Sequence, residues 1–166
     1  MNRILLYIHY NKFDEVSEHV LYQLEQIKPL FSRVILISNS HLEKNYMRKL
    51  EMIGITEIIQ RANIGFDFAA WRDGMEYVGF DHLEKYDSVT LMNDTCIGPL
   101  WSLEPYFRSF ESAIDCDFWG MTNFKKTKYF QEHVQSYFVS YSQSVVSSKV
   151  FQKFWMSIKN FENVRQ

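Results

Sequence analysis

Three short segments hold residues whose types and spacing could do chemistry. The first is N-I-G-F-D, Asn63 to Asp67, with Arg72 a little over one helical turn further on. Gly65 permits a tight turn or a close approach of the backbone to a ligand. Asp67 can accept hydrogen bonds from a base or ribose, or cap a following helix. Arg72 suits a phosphate, or pairs with Asp73 or Glu76 on a solvated face. The second segment is L-M-N-D-T, Leu91 to Thr95. A carboxylate there, Asp94, can hold a divalent cation, Mg2+ or Mn2+, of the kind that neutralises a diphosphate leaving group. Asn93 beside it can hydrogen-bond a sugar. A turn starting at Asp94 and leading to Gly98-Pro99 accounts for the same residues. A third segment, Q-E-H-V-Q-S-Y-F from Gln131 to Phe138, offers Glu132 or His133 as a base and Gln135 as a sugar contact. An exposed loop followed by a strand explains it equally well.

The elements that must position these residues alternate. Arg3–Tyr10, Arg33–Ser38 and Thr56–Gln60 are short apolar, β-rich runs and predict strands; so does Asp87–Met92. Apolar residues at Phe13, Val16, Val20, Leu24 and Ile27 have helical spacing, and Pro29 follows. Ser40 is placed to cap a helix from His41 that ends at Gly54. Further helices are predicted over Asp67–Tyr77, Leu103–Ala113 and Ser147–Ile158, and further strands over Asp117–Met121 and Ser136–Tyr141. This order predicts an α/β fold: a mainly parallel sheet with helices on both faces. Ligands of such sheets bind beyond the carboxyl ends of the strands. That rule selects His9-Tyr10-Asn11 after the first strand, Ser38-Asn39-Ser40 after the second, Arg61–Asp67 after the third, and Asn93-Asp94-Thr95 after the fourth. Ser38–Ser40 serve as well for capping as for binding.

Bulk properties narrow the classes. The 166 residues suit a single domain, 1–166, with no repeat, linker or low-complexity run. Net charge is −2 and no lysine- and arginine-rich block occurs, which argues against a nucleic-acid partner. Cys96 and Cys116 match no metal spacing and read as reduced thiols. The apolar run Ile4–Ile8 is too short for a signal-peptide core or a membrane span. The chain therefore reads as cytoplasmic, in peripheral contact with the inner face of a membrane where a lipid-linked acceptor is present. No Walker-type loop, Ser-His-Asp signature or Cys/His cluster is found.

With these segments in place, the chain resembles the rhamnan-synthesis protein F family, bacterial glycosyltransferase-like domains of polysaccharide assembly. The likeness rests on Tyr7-Ile8-His9-Tyr10, on Asn63–Asp67, on Y-D-S-V-T-L-M-N-D-T-C-I-G-P-L (Tyr86–Leu100), on Q-S-Y-F (Gln135–Phe138) and on the F-x-x-F-W of Phe151–Trp155. A wider similarity is to glycosyltransferases of the A-type, Rossmann-like nucleotide-diphospho-sugar fold. These carry Asn-x-Gly, an Arg on the next helix and a strand ending in Asp-x-Asp. Here Asn63-x-Gly65, Arg72 and Asn93-Asp94 look like that series, although only Asp94 is acidic. The resemblance implies transfer of a deoxyhexose, rhamnose from a dTDP-activated donor, onto a glycan or lipid-linked glycan of the cell surface. Taken with the strand-end reading of the residues, the expected catalytic residues are Asp94 and His133, the expected ligand of a divalent metal is Asp94, and donor contacts are expected from His9, Tyr10, Ser38, Asn39, Asn63, Gly65, Asp67, Arg72 and Asn93. Full A-type enzymes continue into an acceptor-binding half, so the chain reads as a form truncated on that side. The competing functions are a non-catalytic nucleotide-sugar or glycan-binding module and a scaffold that docks to another transferase.

Overall fold

The computed structural model describes residues 1–162. Four strands, β1 (Arg3–His9), β2 (Arg33–Ser38), β3 (Glu57–Gln60) and β4 (Ser88–Asn93), run parallel. The helices between them are α1 (Glu18–Ile27), α2 (Lys44–Met52), α3 (Phe66–Val78) and the single turn α4 (Phe80–Leu83). After β4 come α5 (Glu104–Glu111), β5 (Phe118–Gly120), the hairpin of β6 (Asn123–Phe124) and β7 (His133–Val134), then β8 (Phe138–Ser142), the short α6 (Gln143–Val146) and α7 (Lys149–Ser157). The main sheet has six strands in the order β3-β2-β1-β4-β8-β5. Only β8 runs against its neighbours, pairing Ser88 with Ser142 and Met92 with Phe138 on one side and Phe118 with Tyr141 on the other.

The apolar runs seen in the sequence are explained by burial on both sheet faces. Side chains alternate along β1: Ile4, Leu6 and Ile8 join a core with Trp71 and Met75 of α3 and Trp155 of α7. Leu5 and Tyr7 join the opposite core with Val20 and Leu24 of α1 and Phe107 of α5. On the first face, Trp71 donates its indole N–H to the Leu6 carbonyl at 3.2 Å, and Phe68 stacks on Trp155 at 5.7 Å between centroids. Gly74 lets α3 lie close on β2, since a Cβ there would stand 2.6 Å from Ile37 Cδ1.

Three boundaries differ from the sequence expectation, each for a local reason. The first helix begins at Glu18, not Phe13. Asn11 Oδ1 accepts from Phe13 N at 2.8 Å and Asp14 takes a positive φ of 59°, so residues 11–14 form a turn and Phe13 stays in solvent. The second helix begins at Lys44 with Glu43 as its N-cap residue, so Ser40 is not its cap. Its hydroxyl instead accepts from Asn11 N and donates to Asn11 O, both at 2.8 Å, tying the ends of β1 and β2 together. Asp67 is likewise not the cap of α3; Gly65 holds that position at φ 67°.

Candidate functional site

Parallel strands put their carboxyl ends on one edge of the sheet, and there the polar residues collect. In register, Ile8 lies beside Asn93 and His9 beside Ser38, which in turn faces Gln60. Asn63 follows β3 at the same edge. The strand order reverses between β1 and β4: the chain steps outward through β2 and β3 on one side and places β4 on the other. Such a reversal opens a crevice at the carboxyl edge. His9, Tyr10, Asn93 and Asp94 flank that crevice.

Their contacts form one connected group. Asp94 Oδ2 accepts from Tyr10 N at 2.9 Å. Asn93 is buried; its Nδ2 donates to Asp67 Oδ2 at 2.7 Å, and its Oδ1 accepts from Thr95 N and Thr95 Oγ1. The first turn of α3 is thereby held against the end of β4. Two carboxylates, Asp94 and Asp67, stand close enough to repel. Burial pushes the Asp94 carboxyl above its ordinary range; the Tyr10 N–H and His9 pull it back in part, and Asp67 pushes it further up.

His9 is fully buried. Its Nε2 is 3.1 Å from the Glu15 carbonyl and its Nδ1 3.0 Å from Ser38 Oγ. A carbonyl only accepts, so Nε2 carries a proton, while Nδ1 meets a Ser38 hydroxyl that also lies 3.0 Å from the Ser40 carbonyl. Burial lowers the His9 pKa below its ordinary value, with Asp94 opposing, and that shift favours the neutral ring. Both ring nitrogens are thus engaged within the protein, and His9 braces the strand ends. Asn39 differs: its Oδ1 accepts from Arg61 Nη1 at 2.6 Å, while its Nδ2 is buried without a partner among the described residues.

Two expected contacts face elsewhere. Arg72 binds Asp73, the Ile158 carbonyl and Asn160 Oδ1. It holds the segment after α7, which is the carboxylate-pairing alternative. Gly65 donates its N–H to the Phe161 carbonyl at 2.6 Å, and a Cβ there would meet Ala69 Cβ at 2.4 Å. The close approach that the glycine permits is therefore made by the chain itself. His133 sits on β7, exposed, stacked on Phe124 with its Nδ1 2.8 Å from the Gln131 carbonyl. Its hairpin follows the carboxyl end of β5, on the same sheet edge as Asp94, but no hydrogen bond joins it to the cluster among the described residues. Asn63 is half-buried with no side-chain hydrogen bond among the described residues.

Arg61 opens the Arg61–Asp67 stretch that the strand-end rule selects, but sequence reasoning passed over any role of its own. It bonds Asp73 Oδ2 at 2.6 Å, Asn39 and the Ile64 carbonyl, and so fixes the loop that carries Asn63. Its place directly after β3 was the available signal. Also passed over is a cleft of about 330 Å³ beside the β4 end, lined by Met92, Cys96, Trp101, Tyr106, Met121 and Tyr137 among others.

Residues 34–166 match the rhamnan synthesis protein F family. The chain belongs to that family. The match begins within β2, so the site residues from Ser38 onward fall inside it and the His9-Tyr10 end of β1 precedes it. Among curated relatives, the virulence protein VirA of Vibrio anguillarum (strain ATCC 68554 / 775) is 31% identical over 100 residues, 60% of this chain and 30% of that one. The uncharacterized protein y4gN of Sinorhizobium fredii (strain NBRC 101917 / NGR234) is 30% identical over 151 residues, 89% of this chain and 38% of that one. The chain thus spans about a third of the length of these relatives. Membership of the rhamnan synthesis protein F family ties the chain to rhamnan, and so polysaccharide, synthesis.

Proposed function

We propose that this member of the rhamnan synthesis protein F family is the donor-binding part of a glycosyltransferase with an A-type nucleotide-diphospho-sugar fold. It moves a deoxyhexose, rhamnose from dTDP-rhamnose, onto a bacterial cell-surface polysaccharide. The observation that carries this reading is the convergence of Asp94, Asn93, Asp67 and Tyr10 at the point where the strand order reverses. The unpartnered Asn39 Nδ2 supports it, because a buried donor without a partner is costly until a ligand acceptor, such as a base carbonyl, meets it.

A divalent cation fits the residues present. Asp94 and Asp67 are hard oxygen donors that accept from Tyr10 N and Asn93 Nδ2, with repulsion between them. Mg2+ or Mn2+ bound there would keep several waters and take its remaining ligands from the diphosphate. When bound, the ion supplies charge neutralisation to the leaving diphosphate. The chain's own residues do the rest. Asn93 orients Asp67 and keeps it beside Asp94. The buried His9 ties Ser38 to the Glu15 carbonyl and so steadies the end of β1. His133, exposed on β7 at the same sheet edge, is the general base proposed for the acceptor hydroxyl.

One observation favours a second reading, a nucleotide-sugar-binding module without catalysis. Among the described residues no three His, Cys, Asp or Glu side chains converge as a metal site, and Asn93 stands where a second acid would. Calorimetry against dTDP-, UDP- and GDP-sugars with and without Mn2+, followed by donor hydrolysis, separates the two. Transfer predicts binding of one donor class and hydrolysis lost in Asp94→Ala. Binding without hydrolysis in the unaltered protein selects the module, and no binding by any donor ends both readings.

A further inference from the structure

The hairpin β6–β7 presents F-K-K-T-K-Y-F, Phe124 to Phe130, at its tip. Tyr129 is 81% and Phe130 62% exposed, and Lys125, Lys126 and Lys128 are exposed beside them. None of the three ammonium groups makes an ion pair among the described residues, and Lys128 Nζ lies 5.6 Å from the Tyr129 ring centre. No acidic residue occurs between Asp117 and Glu132, so a local charge of +3 stands on a protein whose net charge is −2. The tip is also shaped: Thr127 N donates to the Phe130 carbonyl at 2.9 Å, and Thr127 Oγ1 accepts from Tyr129 N and Phe130 N. Phe124 packs edge-on against Phe130 at 6.3 Å. Holding two large aromatics in water is unfavourable unless something covers them.

We infer that this hairpin tip docks on an anionic phospholipid surface. Lysines with long apolar stems and aromatic rings with one wet end favour the headgroup region, and each lysine near an anionic leaflet adds attraction. Three lysines on a turn give too short a cationic track for nucleic acid. Position adds to the case. Met121 and Thr122, at the root of the hairpin, line the apolar cleft beside β4 together with Ile97, Leu100 and Trp101. Those last three are themselves exposed by 78%, 78% and 61%. Hairpin and rim therefore point the cleft toward the same surface. If the transferase reading holds, a lipid-linked acceptor would be met there; the docking itself does not rest on that reading.

Vesicle co-sedimentation of the full chain tests this. Vesicles of phosphatidylcholine with phosphatidylglycerol should retain the protein, and vesicles of phosphatidylcholine alone should not. Retention should fall as ionic strength rises, since exposed charges are screened within about 10 Å at 0.1 M salt. Lys125→Gln, Lys126→Gln and Lys128→Gln together should weaken retention at least tenfold, and Tyr129→Ser with Phe130→Ser should do so separately. Melting temperature should hardly change in either variant, and the second keeps the test decisive if the first does not fold. Donor binding without vesicles should be unchanged in both, so loss of docking is told apart from failure of the transferase reading. Equal retention on both vesicle types, no retention on either, variants that bind as the parent does, or binding of single-stranded RNA in place of vesicles overturns the inference.

Discussion

Asp94 and His9 share a crevice and pull on each other's protons. A carboxyl whose pKa is raised on folding binds more protons in the native state than in the unfolded one. Its contribution therefore becomes unfavourable as pH climbs from the ordinary value of 3.8 through the raised one. Asp94→Asn removes that penalty and leaves an isosteric acceptor for Tyr10 N. We expect the variant to gain in melting temperature relative to the parent as pH rises from acid to neutral; a gap that stays flat with pH would contradict the burial argument. His9 has the opposite slope. Its pKa is lowered on folding, so stability is lost as pH falls through its ordinary value of 6.5. Because the Asp94 charge props that pKa up, Asp94→Asn should move the His9 titration further down, a shift readable by NMR of the ring. At the same scale, Asn93→Asp would set a third carboxylate against Asp67. It should lower the melting temperature without metal, and Mn2+ should restore it by more than Mn2+ stabilises the parent. Equal metal effects in the two proteins would remove Asp67 and Asp94 as cation ligands.

Helices and strands differ in how far the sequence revealed them. β1, β2 and β4 were legible because a strand buried on both faces is apolar throughout, and their carboxyl-end polar residues followed from the strand-end rule. The four-residue α4 and α6 and the two-residue β6 and β7 were missed, because so few residues give no period to read. The start of α1 was misplaced because Phe13 fits the helical spacing while the Asn11 side chain commits the backbone to a turn. In the site, residue types were visible, but their partners were not. Nothing local says that Arg72 turns toward Asn160 or that Asn93 reaches Asp67 across 26 positions. The α3 helix offers a test of the packing that makes these contacts. Its Gly74 faces Ile37 with no room for a Cβ. Gly74→Ala gains helix propensity of roughly 1 kcal/mol but overpacks the core by about 1–3 kcal/mol. We expect net destabilisation in denaturant titration, relieved in the double variant with Ile37→Val. At the other end, Gly65→Ala meets both a left-handed φ and the Lys159–Asn160 backbone at 3.0 Å. It should cost about 1–3 kcal/mol and should loosen the segment after α7. A Gly65→Ala protein as stable as the parent would mean that this segment does not close on the α3 start.

The whole molecule has two sheet edges, and each could claim a ligand. Beside the amino-terminal edge lies a hollow of about 490 Å³ between Arg3, Pro29, Glu104, Arg108 and Glu111, larger than the cleft of about 330 Å³ at the carboxyl edge. Of these two, the former is the roomier. Charge argues for the latter. Arg3 is satisfied by both Glu111 oxygens, at 2.7 and 2.6 Å, and by the Leu30 carbonyl, and Arg108 pairs with Glu104. A phosphate entering there would have to displace carboxylates from the cations it needs. At the carboxyl edge, two carboxylates repel and the buried Asn39 amide lacks a partner among the described residues, so a cation with a nucleotide sugar would relieve what folding left unsatisfied. Hydrogen exchange can decide between the edges. At a donor concentration about 100 times its dissociation constant, binding adds roughly 2.7 kcal/mol to global stability and slows exchange that proceeds through global unfolding everywhere. Amides that exchange through local opening respond only where the ligand sits. With dTDP-rhamnose and Mn2+, that local protection should fall on residues 10–11, 38–40, 61–67 and 93–96. The loops at residues 28–32 and 85–87, at the far edge, should be unchanged on the same timescale. Protection confined to those far loops would move the ligand to the Arg3–Glu111 hollow and take the Asp94 crevice out of donor binding.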